Sequence, residues 1–290
     1  MSLFVWPEAS RDFVSLTDAS QVPGSPRDYY LFRGAEILMR FDENDRFEPV
    51  PDEDPLIDKL DQEKTHYLGE LAGRHVFASE IRNTGIEEKT LGLRALFGRI
   101  DRLTFNVASR AVQVLNWHQS HQFCGRCGGR NIPHERDRAM VCRNCRLHVY
   151  PRLSPSIIVL VHREDEVLLA RNHRFPEGMY STLAGFVEPG ESLENAVARE
   201  IFEEVGLEIT DIEYHSSQPW PFPSNIMLGF TARATTFDLT VDYNELEGGA
   251  QWFTRDFLKN SPENDTFRLP RRDSISRRLM NEWIDSETAS

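Results

Sequence analysis

The chain has 290 residues, 46 of them acidic and 33 basic, for a formal charge of −13. That length is a prior for about two domains with a sizeable core, and an apolar share of 40% argues against a disordered chain. The negative balance argues against a general binder of phosphate backbones, which needs a basic footprint, and no apolar run approaches the roughly 20 residues of a membrane helix.

The N-terminus has no basic segment followed by an apolar stretch, so it does not read as a signal peptide. A cytoplasmic protein without membrane association is expected. Tyr29 to Arg33 and Glu36 to Arg40 read as strands either side of Gly34. Asp42 to Asp61 is acidic and holds three prolines, which predicts loop with at most a short helix. His66 to Gly69 and His75 to Ala78 read as two more strands. From about Thr104, the apolar residues Ala108, Ala111, Val112 and Leu115 keep the spacing of an amphipathic helix. Nothing in residues 1–120 carries recognisable chemistry, so that segment is expected to be structural or to serve dimerisation.

All four cysteines follow in one window: Cys124, Cys127, Cys142 and Cys145. Two C-x2-C pairs separated by fourteen residues come close to zinc-ribbon spacing, and Gly125, Gly128 and Gly129 let the backbone turn around the sulfurs. Two disulfides or unrelated free thiols are the alternative, which a cytoplasmic setting disfavours. Four thiolates close a tetrahedral Zn²⁺ site, so the expected ion is structural rather than catalytic. His118, His121, His134 and His148 are then ordinary surface or packing residues.

Beyond the window, 156–161 and Glu166 to Ala170 read as strands around a turn at Arg163 to Asp165. Pro189 and Gly190 mark a turn, Ser192 is a helix N-cap, and Gly206 stands where a helix would stop, which predicts a helix from about Leu193 to Val205. On a wheel of that helix, Leu193, Ala196, Val197, Ile201 and Val205 form an apolar side. Glu200 and Glu204 fall along that side and Glu203 at its edge, an unfavourable place for three mutually repelling carboxylates. A hard divalent cation removes the difficulty, because carboxylate oxygens are its preferred ligands.

The stretch from Gly185 to Leu207 matches, at every defined position, the Nudix box G-x5-E-x7-R-E-U-x-E-E-x-G-U, in which U is a bulky aliphatic residue. The chain therefore resembles the Nudix hydrolases. The resemblance implies an α/β/α sandwich that binds Mg²⁺ or Mn²⁺ and directs water at a phosphoanhydride linked to a nucleoside. It implies that Glu200, Glu203 and Glu204 are metal ligands, with Glu203 or Glu204 as base, and that Arg199 and Glu191 brace the motif.

A second motif, Ser217-Gln-Pro-Trp220-Pro-Phe-Pro223-Ser224, resembles the S-Q-P-W-P-F-P-x-S signature of the NADH pyrophosphatase subfamily, with Asn225 in place of the final Ser. The order of an N-terminal domain, a ribbon and a Nudix domain is similar too. It implies an α+β protein with a mixed α/β N-terminal domain over 1–120, a zinc ribbon over 121–150 and a Nudix domain over 151–290. By the same resemblance Tyr150, Phe186, Gln218 and Trp220 are dinucleotide contacts, Ile158 lines the pocket, and Ser276 takes a small-residue place beside the adenosine. A further metal ligand is implied before Ala250-Gln251-Trp252-Phe253, where Glu245 is favoured over Glu247 and one residue is extra at Gly248-Gly249.

The resemblance further implies a homodimer whose site draws on both subunits. It implies hydrolysis of NADH, and of NAD⁺, to the (reduced) nicotinamide mononucleotide and AMP, and extends to removal of an NAD cap from RNA. Two other readings compete. A diphosphatase for another nucleoside diphosphate, such as ADP-ribose, has no reason to carry Ser217 to Pro223. A non-catalytic sensor would tolerate loss of a box carboxylate, and here all are present.

Overall fold

The computed structural model describes residues 13–17, 26–44, 46–81, 89–261, 263–264 and 266–286. The chain folds as two compact units, one holding Leu153–Trp220 and Asn225–Ser290, the other Val5–Arg152 with Pro221–Ser224.

In the second of these, strands β1 (Phe13–Ser15), β2 (Arg27–Arg33), β3 (Glu36–Leu38), β4 (Val50–Pro51), β5 (Leu60–Leu71), β6 (Arg74–Ile81) and β7 (Thr90–Gly92) build one sheet. Its order is β1-β5-β6-β2-β3-β7, with β4 beside β2. The expected strands are all present, and those around His66 and His75 run longer than the sequence pattern suggested because they pair with each other as β5 and β6. Asp42 to Asp61 is mostly irregular but contributes β4 and a single 3-10 turn, Ile57–Lys59. After the short helix α1 (Leu93–Leu96) comes α2 (Arg102–Ser120), started by the Asp101 carboxylate, which accepts from Thr104 N at 2.9 Å. Ala108, Ala111, Val112 and Leu115 are buried along it. A three-stranded sheet follows, made of β8 (Asn131–Pro133), β9 (Met140–Cys142) and β10 (His148–Val149) in the order β10-β9-β8.

The other unit is a six-stranded sheet between helices. Its strands are β11 (Ser154–Arg163), β12 (Glu166–Ala170), β13 (Leu183–Phe186), β14 (Ile209–Trp220), β15 (Asn225–Ala234) and β16 (Ala250–Thr254). The helices are α3 (Leu193–Val205), α4 (Arg255–Lys259) and α5 (Ile275–Asp285). The order is β14-β15-β11-β12-β16 with β13 paired to β11, and β11 runs parallel to β15.

The unbroken apolar run Ile157 to Val161 is what a strand covered on both faces requires. Ile157, Val159 and Val161 pack with Ala196, Val197, Ile201 and Val205 of α3. Ile158 and Leu160 point the other way, into Ile275, Leu279 and Met280 of α5. Helix, sheet and helix thus form the expected α/β/α sandwich.

The proline-rich motif divides. Ser217 to Trp220 extends β14, where Pro219 stands opposite Ile226, and only Pro221–Ser224 forms a turn. A proline is tolerated there because β14 is the edge strand and its missing N–H leaves no interior ladder bond unmade.

Candidate active site

Helix α3 begins where Ser192 Oγ accepts from Asn195 N at 3.2 Å, and it ends at Gly206, whose φ of +72° is a left-handed C-cap suited to glycine. Between these caps the wheel argument holds in three dimensions. Glu204 is 5% exposed, Glu200 is half-buried and Glu203 faces solvent. Glu204 Oε2 is buried with no hydrogen-bond partner. Burial, reinforced by Glu200, Glu245, Asp242 and Glu203, pushes the Glu204 carboxyl up to about 8. Burial also raises Glu200, against the pull of Arg199 and with the push of Glu203 and Glu245.

Arg199 ties the surrounding loop together. Its Nε and Nη2 donate to the two oxygens of Glu191 at 2.7 and 3.0 Å, a bidentate pair. Its Nη1 donates to Glu200 and Glu203, each at 2.9 Å, and Nη2 reaches the Phe186 carbonyl at 2.9 Å. The guanidinium holds the Glu191 carboxyl below the usual carboxylate range.

Strand β13 forms the floor. A Cβ on Gly185 would fall 1.9 Å from the Glu200 carboxyl carbon, so only glycine lets that carboxylate lie against the strand. This concentration of acids fits a hard cation: four carboxylates act on one orphaned, desolvated oxygen, and Arg199 pairs with only two of them, Glu200 and Glu203. Arg199, rather than convergence on one point, organises the carboxylates in this conformation. Among the described residues, the cysteines are the one group of three or more ligand atoms lying within 4.8 Å of one another.

The residues expected to touch a dinucleotide fall in several places. Gln218 is 6% exposed and spans the start of α5: its Nε2 donates to the Asp273 carbonyl at 2.9 Å, and its Oε1 accepts from Ile275 N at 2.8 Å. Ser276 is buried beside it, with Oγ accepting from Thr182 Oγ1 at 2.8 Å and lying 2.9 Å from Ser181 Oγ. Ile158 is core beneath α5, on the sheet face opposite α3. Phe186 is exposed at the end of β13, opposite Ser156, and Trp220 is half-buried at the end of β14, opposite Asn225. Tyr150 belongs to the other unit, exposed, with its ring stacked on His148 at 6.5 Å. Gln218, Ser276 and Ile158 thus meet at α5, and Phe186 meets the carboxylate loop.

The four cysteine sulfurs lie together, with Cys124 Sγ 3.6 Å from Cys145 Sγ and Cys127 Sγ 3.5 Å from Cys142 Sγ. These separations are far longer than a disulfide bond and close to the edge of a tetrahedron with metal–sulfur bonds of about 2.3 Å. The backbone N–H of Cys145 and its neighbours lower the Cys142 thiol to about 6, which favours the thiolate a metal needs.

Three family models match consecutive stretches of the chain: an NADH pyrophosphatase-like rudimentary NUDIX domain over residues 27–117, an NADH pyrophosphatase zinc ribbon domain over 119–150, and a NUDIX domain over 152–273. Among curated relatives, an NAD-capped RNA hydrolase NudC from Pseudomonas fluorescens is 44% identical over 223 residues, 76% of this chain and 77% of its own. The NudC of Pseudomonas aeruginosa strain LESB58 is 44% identical over 76% of each chain. The chain belongs to the NudC family of Nudix hydrolases. A NUDIX hydrolase from Nitrosomonas europaea, 23% identical, covers 51% of this chain and 97% of its own with a TM-score of 0.41.

In this NudC-family chain the sequence pattern missed Asp242. Its backbone N–H donates to the Glu204 carbonyl at 2.9 Å, and its charge adds to the Glu204 shift. An acid outside the box, on a loop with no periodicity, leaves no signal in a single sequence. Glu245 is among the charges that raise both Glu200 and Glu204.

Proposed function

We propose that the protein hydrolyses the diphosphate bond of NADH and NAD⁺, releasing the (reduced) nicotinamide mononucleotide and AMP, and removes the NAD cap from RNA. The observation that carries the reading is the buried, unpartnered Glu204 carboxylate beside Glu200 and Glu245. The name of the relatives, NAD-capped RNA hydrolase, and the motif Ser217 to Pro223 support the substrate.

Glu200, Glu203, Glu204 and Glu245 would hold Mg²⁺ or Mn²⁺. Such an ion, when bound, neutralises the diphosphate and acidifies water. Glu204, whose Oε2 has no hydrogen-bond partner, would serve as the base toward the attacking water. Arg199 fixes Glu191 and orients Glu200 and Glu203 through its shared Nη1. Residues 151–290 supply this chemistry, 121–150 a structural zinc ribbon, and 1–120 a supporting or dimerising domain, in a cytoplasmic homodimer.

The test is product identification by mass spectrometry after incubation with NADH, NAD⁺, ADP-ribose and NAD-capped RNA, each with Mg²⁺, with Mn²⁺ and with chelator. Metal-dependent release of AMP and reduced nicotinamide mononucleotide is expected. Hydrolysis of ADP-ribose alone would overturn the substrate assignment, and no hydrolysis of any would overturn the enzymatic reading.

A further inference from the structure

The unit that carries no box acids contains a cleft of about 310 Å³ between β5, the end of α2 and the ribbon segment 133–140. Its lining is rich in hydrogen-bond donors. Trp117, 93% buried, has an indole nitrogen with no partner, and His66 has Nε2 in the same state. Both residues line the cleft, and both nitrogens are buried. Burial, with the charges of His118 and Arg138, drives the His66 imidazole down to about 3, so it is neutral at any physiological pH.

Arg138, also in the wall, is the charged group. Its Nη1 donates to the Tyr67 carbonyl at 2.8 Å, and its Nη2 donates to the carbonyls of Leu16 and Leu68 at 2.8 and 3.5 Å. No carboxylate of the described residues pairs with it. Burial and the nearby Arg110 lower its pKa to about 10, the sign of a guanidinium held without a counter-charge. The one acidic residue of the lining, Asp137, is exposed, with its carboxylate 3.7 Å from His134 and no ion pair to Arg138.

A cation with carbonyl acceptors but no counter-charge, beside an indole N–H with no acceptor, selects an acceptor-rich, negatively charged guest. We propose that this cleft is a second ligand site, distinct from the box acids, that binds a small molecule through a phosphate or carboxylate oxyanion held by Arg138 and Trp117. Tyr67 and Trp117 also line the cleft and supply apolar surface for the rest of such a molecule.

The experiment follows the five tryptophan indole N–H signals of the full zinc-loaded chain by nitrogen–proton correlation spectroscopy. Trp117→Phe, which keeps an aromatic ring there, identifies the Trp117 signal by its loss. Inorganic phosphate and acetate are titrated separately. The Trp117 signal is expected to move downfield and saturate, while the other four stay in place. Arg138→Gln should weaken the binding by about tenfold or more, the worth of a charge-assisted hydrogen bond, with unchanged signals elsewhere showing that it is folded. Saturation by phosphate alone assigns a phosphorylated guest, by acetate alone a carboxylate, and by both a general oxyanion site. No saturable movement of the wild-type signal with either anion overturns the proposal, and so does a shift that Arg138→Gln leaves intact.

Discussion

Gln218 accepts a hydrogen bond from Ile275 N at 2.8 Å, across more than fifty residues of chain. Its amide nitrogen closes the other side on the Asp273 carbonyl, so one side chain of β14 satisfies two main-chain groups at the start of α5. Gln218→Leu, similar in shape, strips both partners of their bonds in a buried place. A loss of about 1–3 kcal/mol is expected, read as a lower urea midpoint at unchanged slope. A midpoint equal to that of the native chain would mean that the amide is not needed there.

Gly185→Ala tests the floor of the acid cluster. The added methyl group meets the end of a flexible side chain, so Glu200 can swing away at little cost in folding. The carboxylate then leaves its place, and a displacement of about 1 Å costs on the order of 10²-fold in turnover. Steady-state kinetics beside a thermal melt separates the two effects: turnover should collapse while the melting temperature moves by only a few degrees.

Glu204 makes a prediction with a definite sign. Its carboxyl is raised from 4.5 to about 8 in the folded chain, so the folded state holds that proton more tightly than the unfolded one. The associated stability is fully present below about pH 4.5 and is lost as pH rises to about 8. Metal-free protein should therefore show a fall in melting temperature across that window, and Glu204→Gln should flatten the fall while lowering turnover by orders of magnitude with Mg²⁺ present. An equally steep profile in the variant would show that Glu204 does not carry the shift.

The ribbon should hold one zinc ion per chain, measurable by native mass spectrometry. Cys142→Ser removes the buried thiolate that the Cys145 N–H supports. That variant should lose the ion and the slow amide exchange of Met140 to Cys142, because binding energy at such a site is folding energy. Retained zinc and retained protection would refute a four-thiolate site.

The caps of α3 were legible because their signals are local: Ser192 and Gly206 act on residues within one turn of themselves. Likewise Glu204 betrayed itself by standing on an apolar stripe, and a bracing role for Arg199 and Glu191 was implied by the resemblance to the box, though not which acids Arg199 would hold. Gln218 and Ser276 were legible as members of a motif but not in their partners, since Asp273, Ile275 and Thr182 lie far away along the chain. Ile158 illustrates another limit. In a run of five apolar residues, nothing in the sequence says which neighbour faces α3 and which faces α5. The split of the proline-rich motif depended on β14 being an edge strand, which only sheet order reveals.

The parallel pairing of β11 with β15 runs from Ser154 opposite Asn225 to His162 opposite Arg233. The box part of the acid cluster, β13, the Glu191 loop and α3, is strung on the connection between those two strands, and Asp242 and Glu245 follow only after β15. Closing about 70 residues of chain carries an entropic cost that must be met before any parallel contact forms. The acid cluster is therefore a late product of folding rather than a local element, and a nascent chain released before β15 emerges would carry every box residue with no centre assembled from them.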